Sequence, residues 1–172
     1  SGNTLRLCCC RMICDSCDDK VGLKPCPVCR MPAPNNNSEQ LVWLRRHVEN
    51  DVPEAIHHLG SAYRDGDYGL VKSAKKAAKI FKRAVELGSV EAMIDLGVMY
   101  TYGHGIKINK KKALELYRTT ASLGDPIGQY NLSLILQEAS GDLVEAQRLL
   151  ERSAAQGYAD AQFGLACMLD EQ

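Results

Sequence analysis

Several absences bound what this 172-residue chain can be. No run of 18 apolar residues occurs, so no membrane-spanning helix is expected. No secretory signal is visible, because the stretch from Leu5 to Met12 is too short and is filled with cysteine. There is no surplus of either charge: 21 Lys and Arg balance 21 Asp and Glu, for a formal net charge of zero. That balance removes any bulk attraction to membrane surfaces and argues against nucleic acid as a partner. Also missing are a serine–histidine–acid set and a glycine-rich phosphate loop. An apolar fraction of 45% is ordinary for globular proteins. The start at Ser1 rather than Met suggests a fragment.

What is present is split into two unlike halves. Seven of the eight cysteines fall within the first 29 residues, and a helical repeat fills most of the rest. Cysteines this dense are disulfides or metal ligands. Disulfides belong to oxidising compartments, which nothing else here supports, and seven thiols pair badly. A metal site in an intracellular, cytoplasmic protein (with the nucleus as an alternative) is therefore expected. The eighth, Cys167, lies on an apolar helix face and reads as a small core residue.

The spacing is Cys8-Cys9-Cys10, Cys14-x2-Cys17, then Cys26-x2-Cys29. A C-x2-C pair brings two thiolates onto one turn within reach of a tetrahedral zinc. Zinc is preferred over an iron–sulfur cluster because Cys26-Pro-Val-Cys-Arg30 has the look of small zinc folds, although soft thiolates suit both. One zinc held by Cys14, Cys17, Cys26 and Cys29 in a ribbon-like loop stays open as an alternative.

The run Cys8 to Cys17 followed by Cys26-Pro-Val-Cys-Arg-Met-Pro32 resembles the second part of a RING finger. The resemblance implies that Cys14 and Cys17 are the third ligand pair and Cys26 and Cys29 the fourth. Two of Cys8, Cys9 and Cys10 would supply the second. No cysteine or histidine precedes Cys8, so the first pair is missing from this sequence. One zinc site would be complete and the other would hold only Cys14 and Cys17; either ligands lie upstream of Ser1 or the segment is degenerate. RING fingers bind a ubiquitin-conjugating enzyme and restrain its thioester-linked ubiquitin, a positioning effect. By that likeness Pro27 would touch the conjugating enzyme and Arg30 would bridge it to ubiquitin, a role suited to the fixed donor fork of guanidinium.

From Ala55 onward the chain matches itself. The unit reads Ala-x3-Leu-Gly-x2-Tyr, a Gly-rich turn, then Lys-Ala-x3-aromatic-x2-small-x3-Gly. Its first copy carries Ala55, Leu59, Gly60 and Tyr63, then Lys76, Ala77, Phe81, Ala84 and Gly88. The second carries Ala92, Leu96, Gly97 and Tyr100, then Lys112, Ala113, Tyr117, Thr120 and Gly124. The third, which departs most, has Gly128, Leu132, Ser133 and Leu136, then Ala146, Leu150, Ser153 and Gly157; a fourth begins at Ala161. Apolar residues four apart mark helices, and self-similarity at this period marks a helix-pair solenoid. Small residues let paired helices approach, while Leu59, Tyr63 and Phe81 fill the space between them. Gly88, Gly124 and Gly157 are expected as left-handed C-caps. Ser89 and Asp125 are N-cap candidates, with Pro126 at a first helical position. The Gly-rich turns at residues 66–69 and 103–105 supply positive φ.

This pattern resembles the Sel-one-like repeats, relatives of the tetratricopeptide repeats. It implies an adaptor that binds a protein or peptide along its concave face without chemistry of its own. A RING-type finger followed by such repeats resembles a group of proteins from eukaryotic microalgae. The expected fold is mainly α: a partial RING at residues 1–31, a linker at 32–38 and a capping helix at 39–50 whose stripe is Leu41, Leu44 and Val48. Repeats follow at 55–91, 92–127 and 128–160, with the first helix of a fourth at 161–172. Helices are expected near 39–49, 53–64, 73–87, 90–101, 110–123, 126–138, 142–156 and 159–170. The leading functional expectation is a protein-interaction adaptor with a zinc-binding module; the alternative is a RING-type ubiquitin ligase whose repeats recruit substrate.

Two further groups of residues draw the eye. Lys72, Lys75, Lys76, Lys79, Lys82 and Arg83 form a basic run, echoed by Lys107 and Lys110 to Lys112 one unit later. Zero net charge favours a solvated helix face over a partner-binding patch. His57, His58 and His104 lack the spacing of a metal site.

Overall fold

The computed structural model describes residues 36–139 and 142–170. Its α-helices are α1 (Asn37–Glu49), α2 (Pro53–Asp65), α3 (Ala74–Glu86), α4 (Val90–Tyr102), α5 (Lys110–Ser122), α6 (Pro126–Ala139), α7 (Leu143–Ala155) and α8 (Ala159–Asp170). These agree with the expected spans to within about two residues at each end. The agreement has a local cause, since most boundaries are set by caps that can be read one residue at a time. Asn36 accepts the Glu39 amide at 2.9 Å, Ser73 the Lys76 amide at 3.3 Å and Asn109 the Lys112 amide at 3.0 Å. Asp125 accepts the Gly128 amide at 2.7 Å and Asp142 the Glu145 amide at 3.2 Å. Each side chain satisfies a helix N–H that has no partner inside the helix.

The C-terminal ends of α3, α5 and α7 use one device three times. The glycine past each helix, Gly88, Gly124 or Gly157, adopts φ near +86° (87°, 85° and 86°). The next amide then reaches back five residues, Ser89 to Ala84, Asp125 to Thr120 and Tyr158 to Ser153, which is the Schellman pattern.

The chain divides into two compact units at Ser89 and Val90. In the first, α1 packs on α2 and α2 on α3. Leu44, Ala55 and Leu59 are buried together, joined by Leu41, Val48, Val52, Tyr63, Tyr68, Leu70 and Ile80. The stripe of α1 therefore does cover the first repeat as expected, and Arg83 secures the α1–α2 turn by donating to the Val48 carbonyl at 2.9 Å and to Asp51 at 2.6 Å. In the second unit α4 through α8 pack in series, each on the next.

The helix pairs close through a glycine set against a ring. A Cβ on Gly60 would lie 2.5 Å from Phe81, and one on Gly97 would lie 2.5 Å from Tyr117. Both rings are almost wholly enclosed, at 0% and 1% exposure. The third repeat meets the same requirement differently: buried Ser133 replaces the glycine and Leu150 replaces the ring. The Ser133 hydroxyl donates to the Tyr130 carbonyl at 2.7 Å, so its polarity is satisfied inside the helix.

One expectation fails. Cys167 is exposed rather than buried. No later helix packs on that side of α8 among the described residues, so an apolar face found in sequence has nothing to pack against. Everything assigned to residues 1–31 lies outside the described residues.

Candidate protein-binding cleft

The second unit carries a cleft of about 280 Å³ among α4, α5 and α6. Its position follows from the repeat's own grammar. In the first two repeats the second helix begins in the same way: its N-cap amide donates to the carbonyl of the repeat's tyrosine, Ser73 to Tyr63 at 2.7 Å and Asn109 to Tyr100 at 2.9 Å. The lysine at the third helical position then places its ammonium over that tyrosine's ring, Lys76 at 5.2 Å from the Tyr63 centroid and Lys112 at 5.6 Å from Tyr100. This fixes the start of α5 against the end of α4. Lys110 at the first position of α5 reaches Glu138 near the end of α6, with Nζ to Oε1 at 2.5 Å, and closes one side of the cleft.

The remaining walls are apolar or neutral. Leu134 and Ile135 come from α6, and Tyr117 comes from α5. Leu134 is 39% exposed and Tyr102, at the end of α4, is 62% exposed. The Tyr102 ring stacks on His104 at 5.8 Å, at the rim of the cleft. Polar groups sit among them. Asn131 donates through Nδ2 to the Ile127 carbonyl at 2.9 Å, leaving its Oδ1 as an acceptor. The Thr101 hydroxyl donates to the Gly97 carbonyl at 3.0 Å and is also hydrogen-bonded with Tyr117. Burial pushes the Tyr117 phenol up to about 12, with smaller contributions from Tyr102 and Asp95, so it stays a neutral hydroxyl at any physiological pH.

An apolar floor, an aromatic rim, one amide, a few hydroxyls and an ion pair suit a peptide side chain and its backbone. They offer no nucleophile–base pair and no acid–base dyad. No group of three or more His, Cys, Asp or Glu residues able to hold a metal occurs among the described residues. His57 rests 5.5 Å from the Phe81 ring, a packing position. The sequence-based metal ligands Cys8, Cys9, Cys10, Cys14, Cys17, Cys26 and Cys29, and the proposed contacts Pro27 and Arg30, all lie outside the described residues. Sequence reasoning foresaw a binding face on the repeats but singled out neither Tyr102 nor Leu134. The available signal was that both are apolar residues off the core spacing, adjacent to the buried series Leu96, Met99, Tyr100 and Leu132, Ile135, Leu136.

Comparison with known proteins places this architecture. The Sel1 repeat profile matches residues 53–89, 90–125 and 126–158, well over half of the chain. The chain belongs to the Sel1 repeat family. Among solved structures with the same build is c5321, a protective antigen of uropathogenic Escherichia coli strains displaying an SLR fold. The TM-score is 0.71 at 29% identity, covering 79% of this chain and 30% of that one. A Sel1 repeat protein from Oxalobacter formigenes shares the fold with a TM-score of 0.69 at 24% identity, covering 75% of this chain and 54% of that one. Relatives by sequence include F-box protein At1g70590 of Arabidopsis thaliana, 38% identical over 111 residues, or 64% of this chain and 30% of the relative. Another is the ERAD-associated E3 ubiquitin-protein ligase component HRD3B of Arabidopsis thaliana, 32% identical over 104 residues, or 60% of this chain and 16% of the relative. The chain thus spans less than a third of the length of either. Sel1 repeats are protein-interaction scaffolds, and no described helix is long and apolar enough to cross a membrane.

Proposed function

We propose that this protein is an intracellular adaptor. Its Sel1 repeats hold a protein or peptide partner in the cleft of α4, α5 and α6, and its cysteine-rich segment forms a separate zinc-binding module of RING type. The observation that carries the reading is the partly exposed Leu134 beside the exposed Tyr102 in a cleft whose only charges neutralise one another. Such a site gains chiefly from covering apolar area. The test is a peptide-display selection against the full chain, followed by Leu134→Asp and Tyr102→Ala. Selected peptides should carry an apolar anchor and lose at least about tenfold in affinity on Leu134→Asp, roughly 1.4 kcal/mol, while the helical signal is kept. Binders indifferent to both variants would remove the cleft from the proposal.

The ligase reading has its own support, the Cys26-Pro-Val-Cys-Arg30 run together with a ubiquitin-ligase component among the relatives. The soft thiolate set suits zinc, and zinc would order a short segment that cannot build a core of its own. In this reading the finger engages a ubiquitin-conjugating enzyme through Pro27 and Arg30 while the repeats select the substrate. A form carrying an upstream ligand pair should discharge ubiquitin from a charged conjugating enzyme, and Arg30→Ala should slow the discharge without loss of zinc. No discharge across a broad panel of conjugating enzymes leaves the adaptor alone.

A further inference from the structure

Helix α3 carries its cations on one side. At about 100° per residue, Lys75, Lys76, Lys79, Lys82 and Arg83 fall within roughly 120° of arc. They lie opposite the buried Ala77, Phe81 and Ala84, and all five are exposed. Lys72, just ahead of the N-cap Ser73, is exposed too. Neutralisation of this row is partial. Arg83 pairs with Asp51, Lys76 lies over Tyr63, and exposed Glu86 stands on the same side four residues after Lys82. The Asp65 carboxyl, held below its ordinary range mainly by its hydrogen bond to Arg64, also feels Lys72. Lys75 and Lys79 have no carboxylate partner among the described residues.

The arrangement works against the helix that carries it. Lys75 and Lys79, and Lys79 and Arg83, are like charges four residues apart, which repel. Lys75 and Lys76 occupy the first turn, the positive end of the helix dipole, and no acid stands there to offset them. The repeat does not demand this polarity, because α7 opens at the same place with Asp142 as its cap and Glu145 in its first turn. An anionic chain laid along α3 would offset these repulsions with attractions of its own.

We infer that this face of α3 is a docking surface for an acidic segment of a partner protein. A short acidic peptide fits better than a long polyanion. The helix has 13 residues and is about 20 Å long, the reach of six or seven extended residues at about 3.3 Å each. The cations are mostly lysine, the one ring in the row already lies under Lys76, and the chain as a whole has no excess positive charge to hold a nucleic acid.

The experiment uses the full chain and a fluorescein-labelled 12-residue peptide of alternating Glu and Ser, read by anisotropy at two salt concentrations. Lys75→Glu/Lys79→Glu is compared with Arg45→Glu/Arg46→Glu, the same charge change on exposed residues of α1. Circular dichroism checks that both variants fold. The expected result is saturable binding that weakens with salt, falls at least tenfold in the α3 variant and changes less than twofold in the α1 variant. Equal losses in both variants, or no binding at low salt, would overturn the inference. So would an equally long single-stranded oligonucleotide or an anionic phospholipid vesicle that binds more tightly through the same lysines. Concentration-dependent dimerisation abolished by the α3 variant would make the occupant a second copy and overturn the partner named here.

Discussion

Placing one methyl group on Gly60 should destabilise the first repeat, although the same change helps most helices. Exchanging Gly for Ala inside a helix ordinarily gains about 1 kcal/mol in propensity. Here the new Cβ would fall 2.5 and 2.6 Å from Cε1 and Cδ1 of Phe81. Carbon atoms settle about 3.5–4.0 Å apart, so the ring must retreat by about an ångström, yet Phe81 has 0% exposure and nowhere to go. Overpacking of this kind costs about 1–3 kcal/mol. Against the propensity gain, Gly60→Ala should lose up to about 2 kcal/mol. The third repeat shows the compensation, with Ser133 and Leu150 at the matching positions. Phe81→Leu alone leaves a cavity, but Gly60→Ala/Phe81→Leu should fill it and be more stable than the sum of the two changes by about 1 kcal/mol or more. Urea unfolding followed by circular dichroism at 222 nm gives the full cycle. Additivity within about 0.5 kcal/mol, or a higher midpoint for Gly60→Ala, would refute the coupling of glycine and ring.

Phe81→Ala should cost about 3–5 kcal/mol, the range for deleting a buried aromatic, and a loss under half a kcal/mol in the same urea assay would place the ring elsewhere. A zinc chelator should alter residues 1–31 while the 222 nm signal of the repeats stays nearly intact, since repeat units are stabilised by their neighbours; loss of the whole helical signal would refute independent modules. Tyr117 and Tyr158 are both pushed up to about 12, chiefly by burial, from an unfolded value of about 10. The folded state therefore holds these protons more tightly, and the stability they contribute is complete below pH 10 and declines as pH climbs toward 12. The urea midpoint should fall between about pH 10 and 12, in step with a delayed rise in tyrosinate absorbance at 295 nm; a flat midpoint would contradict the burial of these phenols.

The helices, their caps and the repeat register were legible from residue order because each depends on interactions a few residues apart. An Asn, Ser or Asp caps the amide three positions on, and a glycine turns the chain just past Leu87, Leu123 or Gln156. The helix period then shows which side of each helix is buried, so the burial of Ala77, Phe81 and Ala84 follows from their spacing alone. Tertiary structure decided what lies against those sides. Cys167 sits on an apolar face like those buried elsewhere, but a face is buried only if a partner covers it, and none does among the described residues. Likewise, Lys110 and Lys111 are neighbours in one basic run, yet only Lys110 meets Glu138, 28 residues away. The cleft arises in the same way: Tyr102 and Leu134 come together because α4 and α6 both pack on α5, a long-range outcome that no local pattern encodes.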